Sequence, residues 1–323
     1  MMNILIVSGF LGAGKTTFIR ALSHYTGKEI AILENEYGGA GIDGEILRKD
    51  TDVGQLNIWE MTEGCICCSM KGDFAASVLT IANSVAPECL VIEPTGVGFL
   101  SNIIANLKQI EYDKIHILQP VTIVDGYSVS RYTSEYTALY VDQVSCAGKV
   151  FVSKMESADA DEKERVRAAL RKIAPNVTIV TDHYSGMSDS EWNEILETSF
   201  DGSSIRPAIL PNAEDMPDTF TIKNAIMKTP ENLILMLENL IRGAYGEVIR
   251  AKGVVKSGMA KYRFDVADSR YAITGADSDA ENQVVFIGKG IKRQGLRRNF
   301  FEVLTRRRRA MLRKKTTPGS TVE

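Results

Sequence analysis

The chain has 323 residues, of which 44% are hydrophobic and 24% are charged, and its formal net charge is −3. This composition is typical of a globular protein with one large domain or two ordinary ones. No apolar run approaches the ~18 residues of a membrane span, and the start, MMNILIVSGF, lacks the basic segment that opens a signal peptide. We therefore expect a cytoplasmic protein without a membrane span, in which thiols stay reduced.

Apolar runs alternate with helical patterns over residues 1–200. The runs are short and rich in β-branched residues, as the buried strands of a parallel sheet are. In chain order they are NILIVSG, EIAILEN, ECLVIEP, PVTIVD, KVFVSK and VTIVTD. Helices are predicted at 15–25, 72–86, 99–109, 127–140 and 159–174. This alternation predicts an α/β fold with a doubly wound, mostly parallel sheet.

The chain changes character after residue 200. Residues 201–218 are rich in Pro, Ser and Asp and show little periodicity, which indicates a linker. A helical pattern near 230–242 and four strand-like runs then predict a smaller α+β domain. The runs are GEVIRAKGVVKSG, AKYRFDVA, RYAITGA and QVVFIGKG. We place the domains at 1–204 and 219–300, the linker at 205–218 and a basic tail at 301–323.

The segment GFLGAGKTT, from Gly9 to Thr17, fits the phosphate-loop pattern G-x-x-x-x-G-K-[ST] and stands between a predicted strand and a predicted helix. In such a loop the glycines let backbone N–H groups turn inward around phosphate oxygens. The lysine reaches the β- and γ-phosphates, and the following threonine hydroxyl binds Mg²⁺. The segment therefore predicts a nucleoside-triphosphate site in a P-loop NTPase fold. Its candidate ligands are Gly9, Gly12, Ala13, Gly14, Lys15, Thr16 and Thr17.

A carboxylate is also needed near Mg²⁺, and Glu93 ends the buried run CLVIE, where a parallel sheet delivers side chains to its ligand crevice. We predict Lys15, Thr16 and Glu93 as catalytic residues, with Thr16 and Glu93 on Mg²⁺. The alternative is that Glu93 caps the following helix. Gly96 is predicted to bring its N–H near the γ-phosphate. Two weaker candidates, which also suit an ordinary turn or cap, are Asp43 and Asp125.

The segment FVSKMES resembles the guanine-reading pattern [NST]-K-x-D, with Ser153, Lys154 and Glu156 at its defining positions. A carboxylate there accepts hydrogen bonds from guanine N1–H and the 2-amino group, whereas adenine leaves it unpaired. Lys154 is expected to lay its stem along the base. The alternative is a surface charge pair after a strand. We predict GTP and GDP, rather than ATP, as the nucleotides.

Three of the five cysteines stand in GCICC: Cys65, Cys67 and Cys68. A disulfide is disfavoured where thiols stay reduced, and a redox pair is disfavoured because the segment does not open a helix with C-x-x-C. Buried packing is a further alternative, although polar and Gly residues flank the segment. Thiolates suit Zn²⁺, Cu(I) or Co²⁺, and so tight a cluster leaves coordination open, as a carrier needs. Cys89 and Cys146 are predicted to pack as small apolar groups.

These motifs resemble the CobW-type P-loop GTPases, relatives of the nickel chaperones for hydrogenase and urease. The resemblance rests on GFLGAGKTT, ENEYGGAGID, EGCICC, EPTG and SKME, in that order, and extends more weakly to RAKG and VVFIGKG. It implies GTP hydrolysis coupled to binding zinc or cobalt and handing the metal to a client metalloprotein or cofactor-maturation enzyme. It also implies Glu34 as a ligand beside the thiols. Gly39 stands where the family often has another acid, so the coordination number stays open.

Two other functions stay open: thiol exchange by Cys67 and Cys68, and a nucleotide-switched assembly factor, for instance for a corrinoid-dependent enzyme, that carries no metal. A nucleotide-dependent homodimer also stays open. We interpret His183, in VTDHYSG, as a solvated loop histidine rather than a surface metal ligand. Residues 292–315 hold eleven basic residues and one acid, which predicts either an anionic partner for the tail or a solvated amphipathic helix.

Overall fold

The computed structural model describes residues 1–28, 30–35, 57–61, 71–202, 216–267 and 269–300. The chain divides into two compact units, Met1–Met216 and Pro217–Glu323. Within the described ranges, no helix is both long and apolar enough to cross a membrane. The predictions for the three clustered cysteines, for Asp43, for most of the linker and for the basic tail at 301–323 lie outside the described residues.

The first unit is built on one sheet, and every pairing between its described strands is parallel. The strands are β1 Met2–Ser8, β2 Ile30–Asn35, β3 Asn57–Met61, β4 Cys89–Glu93, β5 Ile115–Ile117, β6 Val121–Asp125, β7 Lys149–Ser153 and β8 Thr178–Val180. Their order is β3-β2-β4-β1-β6-β7-β8, and β5 pairs with the first residues of β1. The order reverses at β1, which confirms the predicted doubly wound sheet and places the ligand crevice at the carboxyl ends of β1, β4 and β6.

Helices connect these strands. They are α1 Lys15–Thr26, α2 Lys71–Ser84, α3 Leu100–Lys108, α4 Val129–Glu135, α5 Thr137–Ser145, α6 Ala160–Ile173 and α7 Asp189–Glu197. The prediction of one helix over 127–140 is wrong, because the chain breaks between α4 and α5 at Tyr136, whose φ of −130° and ψ of 42° are not helical. The Tyr136 ring is buried 5.1 Å from that of Phe10, so tertiary packing overrides local propensity at this residue.

An aromatic cluster fixes α1 to the sheet and to α7. The Phe18 ring of α1 lies 4.9 Å from Phe151 of β7, 5.3 Å from Tyr184 and 5.4 Å from Trp192 of α7, measured between ring centroids. Phe18 and Trp192 are fully buried. Truncating a buried aromatic ring costs about 3–5 kcal/mol of unfolding free energy. This packing fixes the position of α1, and of the phosphate loop that leads into it, relative to the carboxyl ends of the strands.

The second unit is a smaller α+β fold, as predicted. Its elements are β9 Asp218–Lys223, β10 Ile226–Met227, α8 Pro230–Ile241, β11 Glu247–Ser257, β12 Ala260–Ala267, β13 Arg270–Gly275 and β14 Gln283–Lys289. The order β13-β12-β11-β14-β9 is antiparallel, and β10 joins β11 in parallel. Residues 293–300 are helical. Leu233, Met236, Leu237 and Leu240 bury one face of α8 in the core that the sheet forms.

Candidate functional site

The loop from Gly9 to Thr17 joins β1 to α1 and passes close to β6. Gly9 has a φ of +142°, and a Cβ atom there would lie 2.2 Å from the carbonyl oxygen of Ile123. Only glycine allows this approach. Gly12 and Gly14 also have positive φ, and Gly14 is the N-cap of α1. The loop therefore curls around a helix N-terminus, where backbone N–H groups lack helical partners and attract anions.

The Lys15 side chain turns back into this curl. It is 8% exposed, and its Nζ donates to the carbonyl oxygens of Gly9 at 3.1 Å and Phe10 at 3.4 Å. Ala13 is buried, and its N–H donates to the Phe10 carbonyl at 3.2 Å, which closes the turn. Thr17 is exposed one helical position beyond Thr16. The phosphate loop thus holds the buried ammonium group of Lys15 within hydrogen-bond distance of its own backbone carbonyl groups.

Thr16 and Glu93 meet at the carboxyl end of β4. The Thr16 hydroxyl donates to the Glu93 carboxylate, with Oγ1 lying 3.0 Å from Oε1 and 3.1 Å from Oε2. Glu93 is 6% exposed. The alternative role for Glu93, capping the next helix, is not observed, since Phe99 is the N-cap of α3 and no side chain caps it. A hydroxyl and a carboxylate oxygen are the hard donors that Mg²⁺ binds, so this pair fits the ion.

A second buried carboxylate lies beside this pair. Glu34 of β2 is the register partner of Glu93 on β4 and is 4% exposed. Paired residues on neighbouring parallel strands are about 4.8 Å apart and point to the same face of the sheet. Within the described part of the chain, no three His, Cys, Asp or Glu residues cluster as metal ligands. Cys65, Cys67 and Cys68 lie outside that part.

The loop that follows β4 packs directly against the phosphate loop. A Cβ atom on Gly96 would lie 2.6 Å from the backbone nitrogen of Leu11. Gln143 of α5 holds this loop from the other side, because its Nε2 donates to the carbonyl oxygens of Gly96 at 3.1 Å and Gly98 at 2.9 Å. Gln143 is 1% exposed. The position of Gly96 therefore depends on α5, which sequence reasoning did not connect with the site.

Asp142, the neighbour of Gln143, holds the far end of the same loop. Its Oδ2 accepts the Ser101 N–H at 3.1 Å, in the first turn of α3. Burial raises the pKa of the Asp142 carboxyl, although hydrogen bonds from Ser101 and Leu100 oppose that rise. We call Asp142 and Gln143 the α5 clamp. Both residues were missed from sequence, because a polar pair inside a helical pattern carries no local signal of its partners.

Ser153 and Lys154 connect the predicted base-reading segment to the phosphate loop and to β6. The Ser153 hydroxyl lies 2.6 Å from the Ala13 carbonyl oxygen and 3.2 Å from that of Val124. Lys154 has a φ of +64°, and its Nζ lies 2.7 Å from Oδ2 of Asp125. The other oxygen of Asp125 accepts the N–H of the second residue after it, so Asp125 has the cap role that we considered for it.

Glu156 does not pair with Lys154. Its Oε1 lies 3.3 Å from Nε2 of His183, and its side chain is 57% exposed. The His183 ring is stacked on Tyr184, with centroids 4.3 Å apart. His183 is a loop histidine with 33% of its side chain exposed, and its ring is also packed on one face and bonded at its edge.

Phe10 of the phosphate loop is packed among tyrosines from α4, from α5 and from the break between these helices. Its ring centroid lies 4.2 Å from Tyr132, 5.1 Å from Tyr136 and 6.4 Å from Tyr140. These three rings are buried, and burial raises the pKa of the Tyr140 hydroxyl. The spacing of the tyrosines at every fourth residue is a sequence signal for one packed helical face, although the helix is broken at Tyr136. The cluster ties the loop to the helices that carry the α5 clamp.

The two cysteines outside GCICC are buried, as predicted. Burial raises the pKa of the Cys89 thiol to about 12. Cys146 lies beside the α5 clamp, with its Sγ 3.7 Å from Oδ1 of Asp142. Among the described residues, neither belongs to a cluster of three or more candidate metal ligands. Cys89 packs as a small apolar group in the core, whereas the buried Cys146 thiol also donates to Asp142.

Two family models match the chain. One, described as the CobW/HypB/UreG nucleotide-binding domain, matches residues 3–181. The other, described as the cobalamin synthesis protein cobW C-terminal domain, matches residues 218–304. The two matches fall on the two compact units of the structure.

Similar proteins include two bacterial ones. Zinc chaperone CobW of Pseudomonas aeruginosa is 28% identical over 214 residues, which are 57% of this chain and 57% of that protein. Zinc chaperone YjiA of Escherichia coli is 24% identical over 262 residues, which are 78% of this chain and 81% of that protein. The crystal structure of Zn(II)-bound YjiA GTPase from E. coli aligns with a TM-score of 0.44 and 18% identity, over 92% of this chain and 97% of that one.

The chain spans just over half the length of the Pseudomonas relative. The nucleotide-binding model alone covers more than half of this chain and includes the phosphate loop, Glu34, Glu93 and Ser153 to Glu156. The chain belongs to the CobW/HypB/UreG family.

Proposed function

We propose that this protein is a GTP-binding and GTP-hydrolysing metal chaperone that carries a transition metal and hands it to a client protein. The observation that carries the proposal is the buried contact between Thr16 and Glu93, in register with Glu34 on the next strand. Glu93 belongs to the nucleotide-binding side of the site, and its neighbour Glu34 belongs to the side that is predicted to bind the transition metal. The names of the zinc chaperones to which the chain is similar support zinc as the cargo.

The nucleotide side is supplied by the phosphate loop and the strand ends. Backbone N–H groups and Lys15 bind the phosphates, while Thr16 and Glu93 hold Mg²⁺, directly or through water. When bound, Mg²⁺ neutralises charge that develops on the β- and γ-phosphate oxygens. Gly96 approaches the γ-phosphate with its N–H, and the α5 clamp keeps it there. Ser153 fastens the base-reading segment to the phosphate loop.

The metal side is supplied by Cys65, Cys67 and Cys68 with Glu34. Thiolates favour Zn²⁺ or Co²⁺ over Mg²⁺, which keeps the two metal sites chemically distinct. The tight C-x-C-C spacing supplies two or three thiol ligands beside Glu34, which leaves coordination open for exchange with a client, unlike a closed structural zinc site. Because thiolate ligation requires deprotonation, losing one ligand lowers metal affinity sharply.

The two sides are coupled through neighbouring strands. A change at Glu93 when the γ-phosphate leaves acts on an element that pairs directly with the strand of Glu34. In GTPases, segments that contact the γ-phosphate change their position, or become ordered or disordered, when the nucleotide is hydrolysed. We therefore expect GTP hydrolysis to alter how firmly the cargo is held.

The test begins with protein purified under reducing conditions, in which bound zinc and GTP hydrolysis are both measured. The Cys67→Ser/Cys68→Ser variant should lose the metal and keep GTP binding. If the variant loses both the bound metal and GTP binding, the thiols are needed for folding rather than for holding the cargo. If the variant sustains full client activity in cells, the protein is a nucleotide-switched assembly factor that carries no metal.

A further inference from the structure

His183 lies three residues after β8, in the loop next to the base-reading segment. Its ring makes two contacts in the ring plane. The Nε2 atom lies 3.3 Å from Oε1 of Glu156, and the Nδ1 atom accepts the N–H of Ser185 at 3.3 Å. The Ser185 hydroxyl also lies 2.6 Å from Nδ1. The histidine thus bridges a backbone amide and the predicted guanine-reading carboxylate.

These contacts favour one tautomer of His183. The Ser185 N–H can only donate, which favours the tautomer with Nδ1 as acceptor and the ring proton on Nε2, whereas the Ser185 hydroxyl suits either tautomer. In the favoured tautomer the Nε2–H group donates to the carboxylate of Glu156. The ring presents a donor to Glu156 without needing a positive charge.

Aromatic packing also holds the His183 ring in place on one face. His183 is stacked on Tyr184, and Tyr184 packs edge-on against Phe18 and Trp192, with centroids 5.3 Å and 5.9 Å away. Phe18 belongs to α1, which begins in the phosphate loop. A continuous line of packed rings therefore connects the phosphate end of the site to the group that holds Glu156.

The contact matters because Glu156 is longer than the aspartate of the pattern [N/S/T]-K-x-D. Its extra methylene adds a rotatable bond, and a freely rotating carboxylate meets guanine in the productive orientation only part of the time. A carboxylate has about four acceptor positions. Donation from His183 uses one of them and leaves acceptor positions on both oxygens for guanine N1–H and the 2-amino group.

We propose that His183 is a positioning residue of the base site, which orients the Glu156 carboxylate for guanine. The proposal rests on the proposed GTP function. The longer carboxylate and the histidine act as a pair and do the work that a shorter aspartate does alone. His183 sets base selectivity through Glu156 and does not need to touch the nucleotide.

The experiment measures dissociation constants for GTP, ITP and ATP, since ITP differs from GTP only by lacking the 2-amino group. The wild-type protein should bind GTP about tenfold or more tightly than ITP, as expected of a site built to hydrogen-bond that group. His183→Ala should weaken GTP binding several-fold and bring the ITP-to-GTP ratio close to one. His183→Gln, which keeps an amide donor, should restore most of the ratio.

Two further variants separate positioning from packing. His183→Phe keeps a ring on Tyr184 but has no donor, so its ITP-to-GTP ratio should match that of His183→Ala. Lys163→Ala removes the adjacent ion pair with Asp182, whose Nζ–Oδ1 distance is 3.0 Å, and should leave the ratio unchanged.

Two outcomes overturn the proposal, and they differ. In the first, the wild-type preference for GTP over ITP stays unchanged in both His183→Ala and His183→Phe. That result would remove the role of His183 and leave the GTP assignment intact. Equal wild-type affinity for GTP and ATP overturns the GTP assignment itself, and the role of His183 with it.

Discussion

The proposed phosphate end and the proposed base end of the nucleotide site are built differently. At the phosphate end, Thr16 meets Glu93 where the glutamate is 6% exposed, and both residues of the α5 clamp are 1% exposed. At the base end, Glu156 is 57% exposed and is held by His183. The phosphate end agrees with its sequence pattern at every position, whereas the base end departs from its own pattern at Glu156.

The difference shows how a site tolerates change. Removing the hydrogen-bond partner of a buried charged group costs at least about 1–3 kcal/mol, because the charge then stays in the interior without that bond. Exposed ion pairs contribute only about 0.2–1 kcal/mol. The phosphate end is therefore expected to admit few substitutions, while the proposed base end is expected to accept a longer carboxylate provided that His183 orients it. Each prediction below tests one side of this contrast.

The largest effect is expected at Lys15. Replacing it by alanine removes the buried ammonium group from the phosphate loop and should lower the rate of GTP hydrolysis by at least ~10²-fold. Phosphate release under saturating GTP measures the loss. Lys28→Ala is the matched control, since Lys28 lies just after α1, outside the phosphate loop, with its Nζ 3.8 Å from Oε1 of Glu197. Unchanged turnover in Lys15→Ala would mean that the loop is not the phosphate site.

The next effect concerns the base end. Glu156→Ala removes the acceptor for guanine and should weaken GTP binding by at least about tenfold, while any ATP affinity barely changes. Competition binding with GTP and with ATP measures how much each affinity changes. Glu164→Ala removes an exposed glutamate that pairs with Arg167 on α6 and should have no effect. Parallel loss of GTP and ATP affinity would assign Glu156 to stability rather than to the base.

A smaller effect is expected from the α5 clamp. Gln143→Met removes the donor to Gly96 and Gly98, leaving buried carbonyls that cost about 1–3 kcal/mol. Unfolding free energy should fall by that amount, and GTP affinity should fall more than GDP affinity, because Gly96 is proposed to approach the γ-phosphate. Chemical denaturation and nucleotide titration measure the two quantities.

The control for the clamp is Thr122→Val, which removes the 2.7 Å hydrogen bond from Thr122 to the Gln143 carbonyl but leaves the loop contacts intact. It should lower stability without changing the ratio of GTP to GDP affinity. If both variants change that ratio equally, the α5 clamp acts on the fold and not on Gly96.

The smallest change is expected at the buried cysteines. Since the pKa of Cys89 is raised to about 12, almost none of it is thiolate near neutral pH, and thiolate is the reactive form. Alkylation of the folded, metal-free protein at pH 7–8 should label Cys65, Cys67 and Cys68 and spare Cys89 and Cys146. Mass spectrometry of the labelled peptides measures this, with denatured protein as the fully labelled control. Rapid labelling of Cys89 would contradict the buried position of β4.

Much of the fold could be predicted because its signals are local. The phosphate loop, the apolar strands and the capped α6 each lie within a few neighbouring residues. The three-residue β5 carried too little pattern to be noticed, whereas the capping box of Ser188 and Glu191 was a readable signal for α7. The break at Tyr136 was not readable, because it depends on Phe10, far away in the chain.

The site divides in the same way. Glu93 was predicted because a parallel sheet presents the residue at its strand end, whatever the rest of the chain does. Gln143 lies 47 positions from Gly96, and His183 follows Glu156 by a helix and a strand. Such contacts depend on how helices and loops pack, and no short pattern encodes them.

The most direct test of the central claim is the affinity for metal in two nucleotide states. Zn²⁺ and Co²⁺ are titrated into the protein bound to GDP and to a non-hydrolysable GTP analogue, with Cys67→Ser/Cys68→Ser as the control. Coupling should separate the two affinities by about 1–3 kcal/mol, and metal should change nucleotide affinity by the same factor. The control should bind metal weakly in both states. Identical metal affinity in the GDP and GTP-analogue forms of the wild-type protein would contradict the proposal that hydrolysis governs release of the cargo.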